Sequence, residues 1–537
     1  MTAWWYNAVI YQIYPRSFYD ANGDGIGDLP GIIARLDYLQ ALGVDAIWLN
    51  PVYPSPMRDF GYDVSDYCDI DPVFGDMADM QKLINEVHRR GMRIIMDMVF
   101  NHTSHQHPWF KASVDNVAPF ADFYIWAKNP HDVNQLPNNW RSAFGGSAWR
   151  WHHKKQAYYL HSFLPAQPDL NWRNPAVEKA AFTILDFWLA RGIDGFRFDV
   201  INLLYKDQHL QNNPLRFGGI GRPYEWQQHR HDRNQAETHA FLQRLRRHLD
   251  NAGDILSIGE IMYDKYETSA TAASFCGQQD ELHLTFNFEL LHARFNAQAM
   301  HHALQRWYQA LGDNWPSITF SNHDFKRQIS RLGKHAQQSK AKLLAMLALT
   351  VKGTPVLYYG EEIGMAEEPV RKREIQDPAG QFYWPLYKGR DGCRRPMCWD
   401  DSEYGGFSAQ RSWLPISPAC AQKNVQAAQQ DNNSLWHSYR QLLQLRRQTP
   451  CLHAGEIRLL PVKNQIFCFE RSYQGTCLRV MLNLSGHPQK LSWHTQHAEK
   501  CLYNNQGAAN NVRPAQLNPW QGLIFHCQEA LAQDVLC

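Results

Sequence analysis

No run of about 18 apolar residues occurs anywhere in the 537-residue chain, so nothing in it reads as a bilayer-spanning helix. An excess of either charge is missing as well: 54 Lys and Arg face 52 Asp and Glu, a net +2. That balance offers no field for nucleic acid and no polybasic patch for a membrane surface. The opening stretch, Met1 to Phe18, has no Lys/Arg-rich segment followed by an apolar core and does not read as a signal peptide. There is no low-complexity segment. Paired cysteine spacings are also absent: the eleven cysteines are scattered, and an odd number leaves at least one thiol free in a monomer. Cys393 and Cys398 have no second such pair with which to form a zinc site. A reducing cytoplasm is the expected setting.

The composition supports folded, well-packed domains. Apolar residues make up 44% and aromatics 13%, and the length calls for two or three domains. Most of the 19 tryptophans are expected in packing, with a minority offering flat faces to sugar C–H surfaces.

One pattern recurs: an amphipathic helix, a glycine, then a short apolar strand that ends in polar residues. Ile33, Leu36, Leu39 and Leu42 share a helical face before Gly43 and the strand 44–49. Leu83, Ile84 and Val87 precede Gly91 and the strand 92–99; Trp188 and Leu189 precede Gly192 and the strand 193–200. The helix through 246–252 leads to Gly253 and the strand 255–258. A left-handed glycine ending each helix accounts for the hinges. With 9–14, 283–288, 317–320 and 354–359 the strands number eight. Eight parallel strands alternating with helices predict an α/β fold, a (β/α)₈ TIM barrel with its active site at the strands' C-terminal ends.

Two stretches break this rhythm. Residues 102–172 are rich in Trp, Tyr, Pro and Asn without a helix-length periodic run, and predict a small inserted domain after strand three. After a helix near 435–447, the strand-like runs 457–460, 465–469, 478–482 and 522–525 predict a C-terminal antiparallel β-domain. The division is then 1–101 and 173–450 for the barrel, 102–172 for the insertion and 451–537 for the β-domain.

Polar clusters fall where the barrel predicts them. In Asp194 to Asp199, Phe196 and Phe198 share one strand face, Arg197 and Asp199 the other. A buried arginine beside a carboxylate favours its ionised form, as a carboxylate nucleophile requires. Glu260 ends the run 255–259, Asn322-His323-Asp324 ends 318–321, and Asn101-His102 ends 94–100. Each alone could be a structural polar group. Together, at one end of successive strands, they converge on one cavity.

These four segments resemble the four signature regions of the α-amylase superfamily, glycoside hydrolase family 13, in order and spacing. The likeness runs from Val9-Ile10-Tyr11-Gln12-Ile13-Tyr14-Pro15 to the C-terminal domain. Within that superfamily the chain is similar to the oligo-1,6-glucosidase and bacterial α-glucosidase group, through Asp59-Phe60-Gly61-Tyr62-Asp63, Gln167-Pro168-Asp169-Leu170-Asn171 and Arg390-Asp391-Gly392-Cys393-Arg394. The resemblance implies Asp199 as nucleophile, Glu260 as general acid/base and Asp324 as the acid that binds sugar hydroxyls in the transition state. It implies that Asp59 and Arg394 close the pocket around the non-reducing glucose, and that Tyr62, His102, Phe144, Phe163, Gln167, Arg197 and His323 line it. Val200, after the nucleophile, matches the α-1,6-acting type, where a branched side chain narrows the room for a sugar linked through O4. Against that, Ile375-Gln376-Asp377-Pro378, Trp384-Pro385 and Lys388-Gly389-Arg390 resemble α-1,4-acting enzymes that also transfer glucose. Arg395 departs from the threonine common before the Pro-Met pair and adds a charge expected near the pocket rim.

The loop 20–28 resembles half an EF-hand, without the closing Glu because Gly31 stands at position twelve. The related glucosidases hold a structural Ca²⁺ or Mg²⁺ there, which implies Asp20, Asn22, Asp24 and Asp28 as ligands with the Ile26 carbonyl. Catalysis itself needs no cofactor. The expected partner is a short α-glucoside or oligosaccharide, and oligomeric state is not readable. Two other readings share these motifs. Trehalose-6-phosphate hydrolase is resembled at Asn138-Asn139-Trp140-Arg141-Ser142 and at Trp149-Arg150-Trp151. A non-catalytic, transporter-associated homologue would need an anchor and would usually lose part of the triad.

Overall fold

A computed structural model describes residues 3–128, 135–217, 221–262, 269–333, 335–368, 370–491, 500–507 and 514–528. Eight strands form along the expected runs: β1 (Ile10–Ile13), β2 (Ala46–Leu49), β3 (Arg93–Met98), β4 (Gly195–Phe198), β5 (Leu256–Gly259), β6 (Leu284–Thr285), β7 (Ser317–Thr319) and β8 (Thr354–Tyr358). Every pairing is parallel, in the order β7-β8-β1-β2-β3-β4-β5-β6. At the remaining seam the Ser317 hydroxyl donates to the Thr285 carbonyl at 2.7 Å, so the sheet curls into a nearly closed barrel.

The period of two sorts each strand. Ile10, Ala46, Trp48, Ile95, Leu256, Ile258, Leu284 and Val356 pack together as the barrel interior. Tyr11, Ile47, Leu49, Ile94, Met96, Phe196 and Phe198 join the larger core under the helices. The interior-facing series also carries Gln12, Asp97 and Arg197, each at most 1% exposed, into its upper layer.

The helices have local causes. Met77–Arg89 starts on a reciprocal Asp76–Asp79 capping box and buries Met80, Leu83, Ile84 and Val87. The helix before β2 is not continuous: Leu29–Ala34 and Leu36–Leu42 are separated by Arg35, whose guanidinium lies 4.1 Å from the Tyr19 ring and 4.3 Å from that of Trp399. Ile33 is therefore only partly buried, while Leu36, Leu39 and Leu42 are fully so. Gly43 caps in the left-handed region at φ 100°. Gly253 departs from the expectation, at φ 130°, ψ −156°, a region outside the left-handed helical one and equally closed to residues with a Cβ.

Between β3 and β4 the chain forms an antiparallel sheet in which Ala157–Leu160 lies between Trp126–Ala127 and Trp149–His152. The excursion returns to its start, with His102 bridged to Asp169. It also holds a helix, Pro108–Val114, two turns long and too short to leave a periodic signature. The C-terminal five-stranded antiparallel sheet runs Glu456–Leu459, Ile466–Tyr473, Thr476–Asn483, Gly522–Gln528, Lys500–Asn504 in space. The last of these escapes a sequence reading because an edge strand buries only Cys501 and Tyr503. Nine cysteines have described side chains, all free thiols. Among the described residues no helix is long and apolar enough to cross a membrane.

Candidate active site

Asp199 and Glu260 each stand one residue past a strand end. The ladder continues beyond the strands to hold both: Asp199 N–H donates to the Met98 carbonyl at 2.9 Å, and Glu260 N–H to that of Phe198 at 2.9 Å. Between their side chains sits Arg197, fully buried. Its Nη1 donates to Asp199 Oδ1 and to Asp97 Oδ1, both at 2.7 Å, and its Nη2 binds Glu260 Oε2. Asp97 reaches the same guanidinium because β3 and β4 pair Asp97 with Arg197 in register.

One cation thus serves three buried acids, and they cannot all be ionised cheaply. Burial pushes the Glu260 carboxyl well above the usual range; Arg197 opposes this, while the charges of Asp199, Asp324 and Asp97 add to it. Burial likewise raises Asp97 to about 7 against the pull of Arg197. For Glu260 the shift is towards the protonated form. That is the state of a general acid.

Asp324 follows β7 on a turn in which its own N–H and that of Phe325 donate to Asn322 Oδ1 at 2.9 and 3.0 Å. Burial would raise its carboxyl, but the guanidiniums of Arg390 and Arg394 outweigh it and hold Asp324 below the usual range. Arg394 lies 2.8 Å and Arg390 3.2 Å from Asp324 Oδ1. His323, its titration depressed by burial, contacts Tyr62 Oη at 2.6 Å and Gln12 Nε2 at 2.8 Å.

The three acids line a cavity of about 540 Å³, shared with Asp59, Tyr62, His102, Phe144, Phe163 and Val200. Gln167, Arg197, His323 and Arg394, expected in the lining, stand behind it and act through residues that do line it. Gln167 Nε2 donates to Asp59 Oδ2 at 3.1 Å and contacts His102 Nε2 at 3.0 Å. The partner of Asp59 is Arg390 rather than Arg394. Arg390 Nη2 lies 2.8 Å from Asp59, its Nε donates to Asp377 at 2.6 Å, and its guanidinium lies 4.9 Å from the Phe144 ring. Arg394 is drawn inward instead, donating to the His323 carbonyl at 2.8 Å. Burial raises Asp59 to about 6, with Arg390 and Arg394 opposing.

One further expectation is corrected. Arg395 is not at the rim: it is buried and donates to the Pro415 and Ile416 carbonyls at 2.9 and 3.3 Å. In the loop 20–28 the acids point at backbone amides. Asp20 accepts from Gly23 and Gly25, both at 2.7 Å, and Asp28 from Ala21, Asn22 and, at 2.6 Å, Gly31. Asn22 accepts from the Asp24 N–H and Asp24 from the Ile26 N–H. The oxygen donors of this loop suit a hard cation. Among the described residues no three His, Cys, Asp or Glu side chains form a metal-ligating group.

Sequence reasoning gave no role to Asp97 or Arg390. Both had a signal: Asp97 sits in register with Arg197 once β3 and β4 are adjacent, and Arg390 opens the segment 390–394. The outer wall, which includes Tyr224, Met262, Phe288, Phe325 and Tyr387, left none, since these residues come from unrelated loops.

The model of the alpha-amylase catalytic domain matches residues 12–455. A probable alpha-glucosidase of Rhizobium meliloti (strain 1021) is 43% identical over 90% of this chain and 89% of its own length. An oligo-1,6-glucosidase of Parageobacillus thermoglucosidasius is 39% identical over 97% of this chain and 98% of its own. The solved structure of the alpha-glucosyl transfer enzyme XgtA superposes with a TM-score of 0.92 at 38% identity, covering 98% of this chain and all of that one. With matches of that extent, and with acids and arginine gathered as glycosidic bond cleavage requires, the chain belongs to the α-amylase superfamily, glycoside hydrolase family 13, and is a glycosidase.

Proposed function

We propose that the chain is a retaining, exo-acting α-glucosidase that releases glucose from the non-reducing end of short α-glucosides. The observation that carries this reading is the guanidinium shared by Asp199 and Glu260. Two acids on adjacent nitrogens of one arginine favour the close pair of a retaining enzyme, about 5 Å, over the roughly 6.5–9.5 Å gap that accommodates a water in an inverting one. Asp199, paired with Arg197, attacks the anomeric carbon while Glu260 gives its proton to the departing oxygen. The same Glu260 then takes a proton from the water that opens the glucosyl ester. Asp324 binds sugar hydroxyls as the ring distorts. Exo action needs a wall behind the first glucose, and the buried cavity residues Asp59, Tyr62 and His102, with Arg390 paired to Asp59, are the residues that would form it.

The linkage favoured is α-1,6, and Val200 supports it. Its side chain packs with Ala143, Phe163, Leu203 and Tyr224 on the cavity wall, where a second sugar bound through O4 would have to pass. A second reading, an α-1,4-preferring enzyme that also transfers glucose, draws on the segment 375–390, whose Tyr387, Gly389 and Arg390 reach the same cavity. Initial rates on maltose, isomaltose and trehalose 6-phosphate at one fixed concentration separate these readings and the phosphorylated-disaccharide alternative. Isomaltose should lead, and a lead for either of the others replaces the α-1,6 assignment. The loop 20–28 is read as a structural Ca²⁺ or Mg²⁺ site using Asp20, Asn22, Asp24, Asp28 and the Ile26 carbonyl. Millimolar Ca²⁺ should raise the melting temperature and chelation reverse it; a melting curve indifferent to both removes the ion.

A further inference from the structure

The loops that carry the two central acids are tied together by one side chain outside the cavity lining. Asn202, three residues past Asp199 and fully buried, directs its carboxamide at the backbone of Met262, two residues past Glu260. Met262 N–H donates to Asn202 Oδ1 at 2.9 Å, and Asn202 Nδ2 donates to the Met262 carbonyl at 2.8 Å. A donor on one side and an acceptor on the other fix the amide's orientation without ambiguity. The remaining Nδ2 hydrogen goes to Asn234 Oδ1 at 2.7 Å, and the Asn202 carbonyl accepts from Asn234 N–H at 2.9 Å.

This arrangement imitates a strand partner. Strands β4 and β5 end at Phe198 and Gly259, and backbone pairing persists only through Glu260 N–H to Phe198 and Ile201 N–H to the Glu260 carbonyl at 3.0 Å. Past that point the chain after Glu260 has left the sheet. The carboxamide of Asn202 supplies the next pair of bonds in place of a peptide group. Both ends of the segment bearing Glu260 are thereby fixed to the segment bearing Asp199.

We infer that Asn202 is a positioning residue that sets Glu260 relative to Asp199, and that proton delivery to the leaving group depends on its two bonds to Met262. The inference rests on the reading of Glu260 as the acid. Asp199 is itself held by Arg197 and the Met98 carbonyl, so loosening Met262 moves the proton donor and leaves the nucleophile in place. Displacements of about 1 Å at such a group cost on the order of 100-fold in rate.

The test compares leaving groups. Asn202→Ala removes both bonds. Asn202→Asp keeps the volume and the acceptor for Met262 N–H but sets an oxygen against the Met262 carbonyl. For each, kcat/KM is measured on isomaltose, whose leaving alcohol needs a proton, and on α-glucosyl fluoride, whose leaving group needs little help. The expected result is a loss of about 30- to 100-fold on isomaltose and of at most about 3-fold on the fluoride, as misplacing a general acid predicts. The alkaline limb of the pH profile should flatten for isomaltose. Equal losses on the two substrates, or none, would overturn the inference, and the isosteric Asp variant covers the case in which the Ala variant does not fold. Glu260→Ala is the control. If it fails to separate the two substrates, the acid assignment itself is wrong; if it separates them and the Asn202 variants do not, only the role of Asn202 falls.

Discussion

Asp97 is the side chain whose influence is easiest to underestimate, because it need not touch substrate. It competes with Glu260 for Arg197, and its charge helps to keep Glu260 protonated. Above about pH 7, where Asp97 itself is ionised, Asp97→Asn removes that charge and leaves Arg197 freer to stabilise ionised Glu260. The Glu260 proton is then lost at lower pH, and the alkaline limb of kcat/KM should move to lower pH. An alkaline limb that stays put or moves upward refutes the network as described. At Asp324 the expected outcome differs in kind: Asp324→Asn should reduce kcat by about 100-fold or more with KM changed little, since its hydroxyl contacts strengthen as the ring distorts. Steady-state kinetics on p-nitrophenyl α-glucoside reads both. Asp199→Ala should abolish turnover altogether, and wild-type rates in that variant would end the assignment of the nucleophile. At this scale the sequence was most legible where chemistry and strand alternation coincide, as at Arg197 and Asp199. It was least legible where a role depends on which of two arginines the fold turns outward. Nothing in Arg-Asp-Gly-Cys-Arg indicates that Arg390 meets Asp59 while Arg394 is pulled under His323.

Helices and strands were readable wherever a turn or two of periodic apolar residues preceded a glycine. Four of the eight barrel strands, 44–49, 92–99, 193–200 and 255–258, were found that way, and the other four only as short apolar runs. Gly43 makes the energetic reason measurable. At φ 100° an alanine Cβ would meet only Leu443 Cβ at 3.6 Å, so the cost of Gly43→Ala is backbone strain without a clash. Urea unfolding should show a loss of about 1–2 kcal/mol; an unchanged midpoint would mean that the turn relaxes. The residue after the nucleophile shows the converse. Val200 adopts φ 37°, ψ 45°, where a β-branched residue is strained by about 1–3 kcal/mol. No propensity rule would place valine there, and the surrounding loop bonds must hold it. Val200→Ala keeps the turn and shortens the side chain, so the maltose-to-isomaltose ratio of kcat/KM should rise by about 3- to 10-fold. A constant ratio would remove Val200 from linkage choice.

Across the whole molecule, the C-terminal sheet is secured to the barrel by buried arginines that donate to carbonyls. Arg471 Nη1 donates to the Thr350 and Leu452 carbonyls at 2.7 and 2.9 Å, and its Nη2 to that of Gly455 at 2.7 Å. Arg446 beside it serves the carbonyls of Leu349, Leu452 and Gly353. Burial lowers Arg471 to about 10. Arg471→Met would fill similar volume and strand those carbonyls, at a cost of about 3 kcal/mol or more. Urea denaturation followed by tryptophan fluorescence measures it, and a loss below about 1 kcal/mol would show that water replaces the guanidinium. The interdomain seam was invisible in the sequence because nothing around Arg446 or Arg471 indicates that either side chain turns inward to backbone carbonyls.

The ion pair of Asp59 with Arg390 has a consequence for traffic. On the exo-acting reading proposed above, the pair belongs to the closed end of the catalytic chamber, and the leaving-group side is its door. The departing aglycone must clear that door before anything else can reach the glucosyl ester, and whatever arrives next, water or another sugar, comes from the same side. Free glucose must exit by the route that incoming molecules use, so crowding at the threshold both slows release and offers the ester an alternative to water.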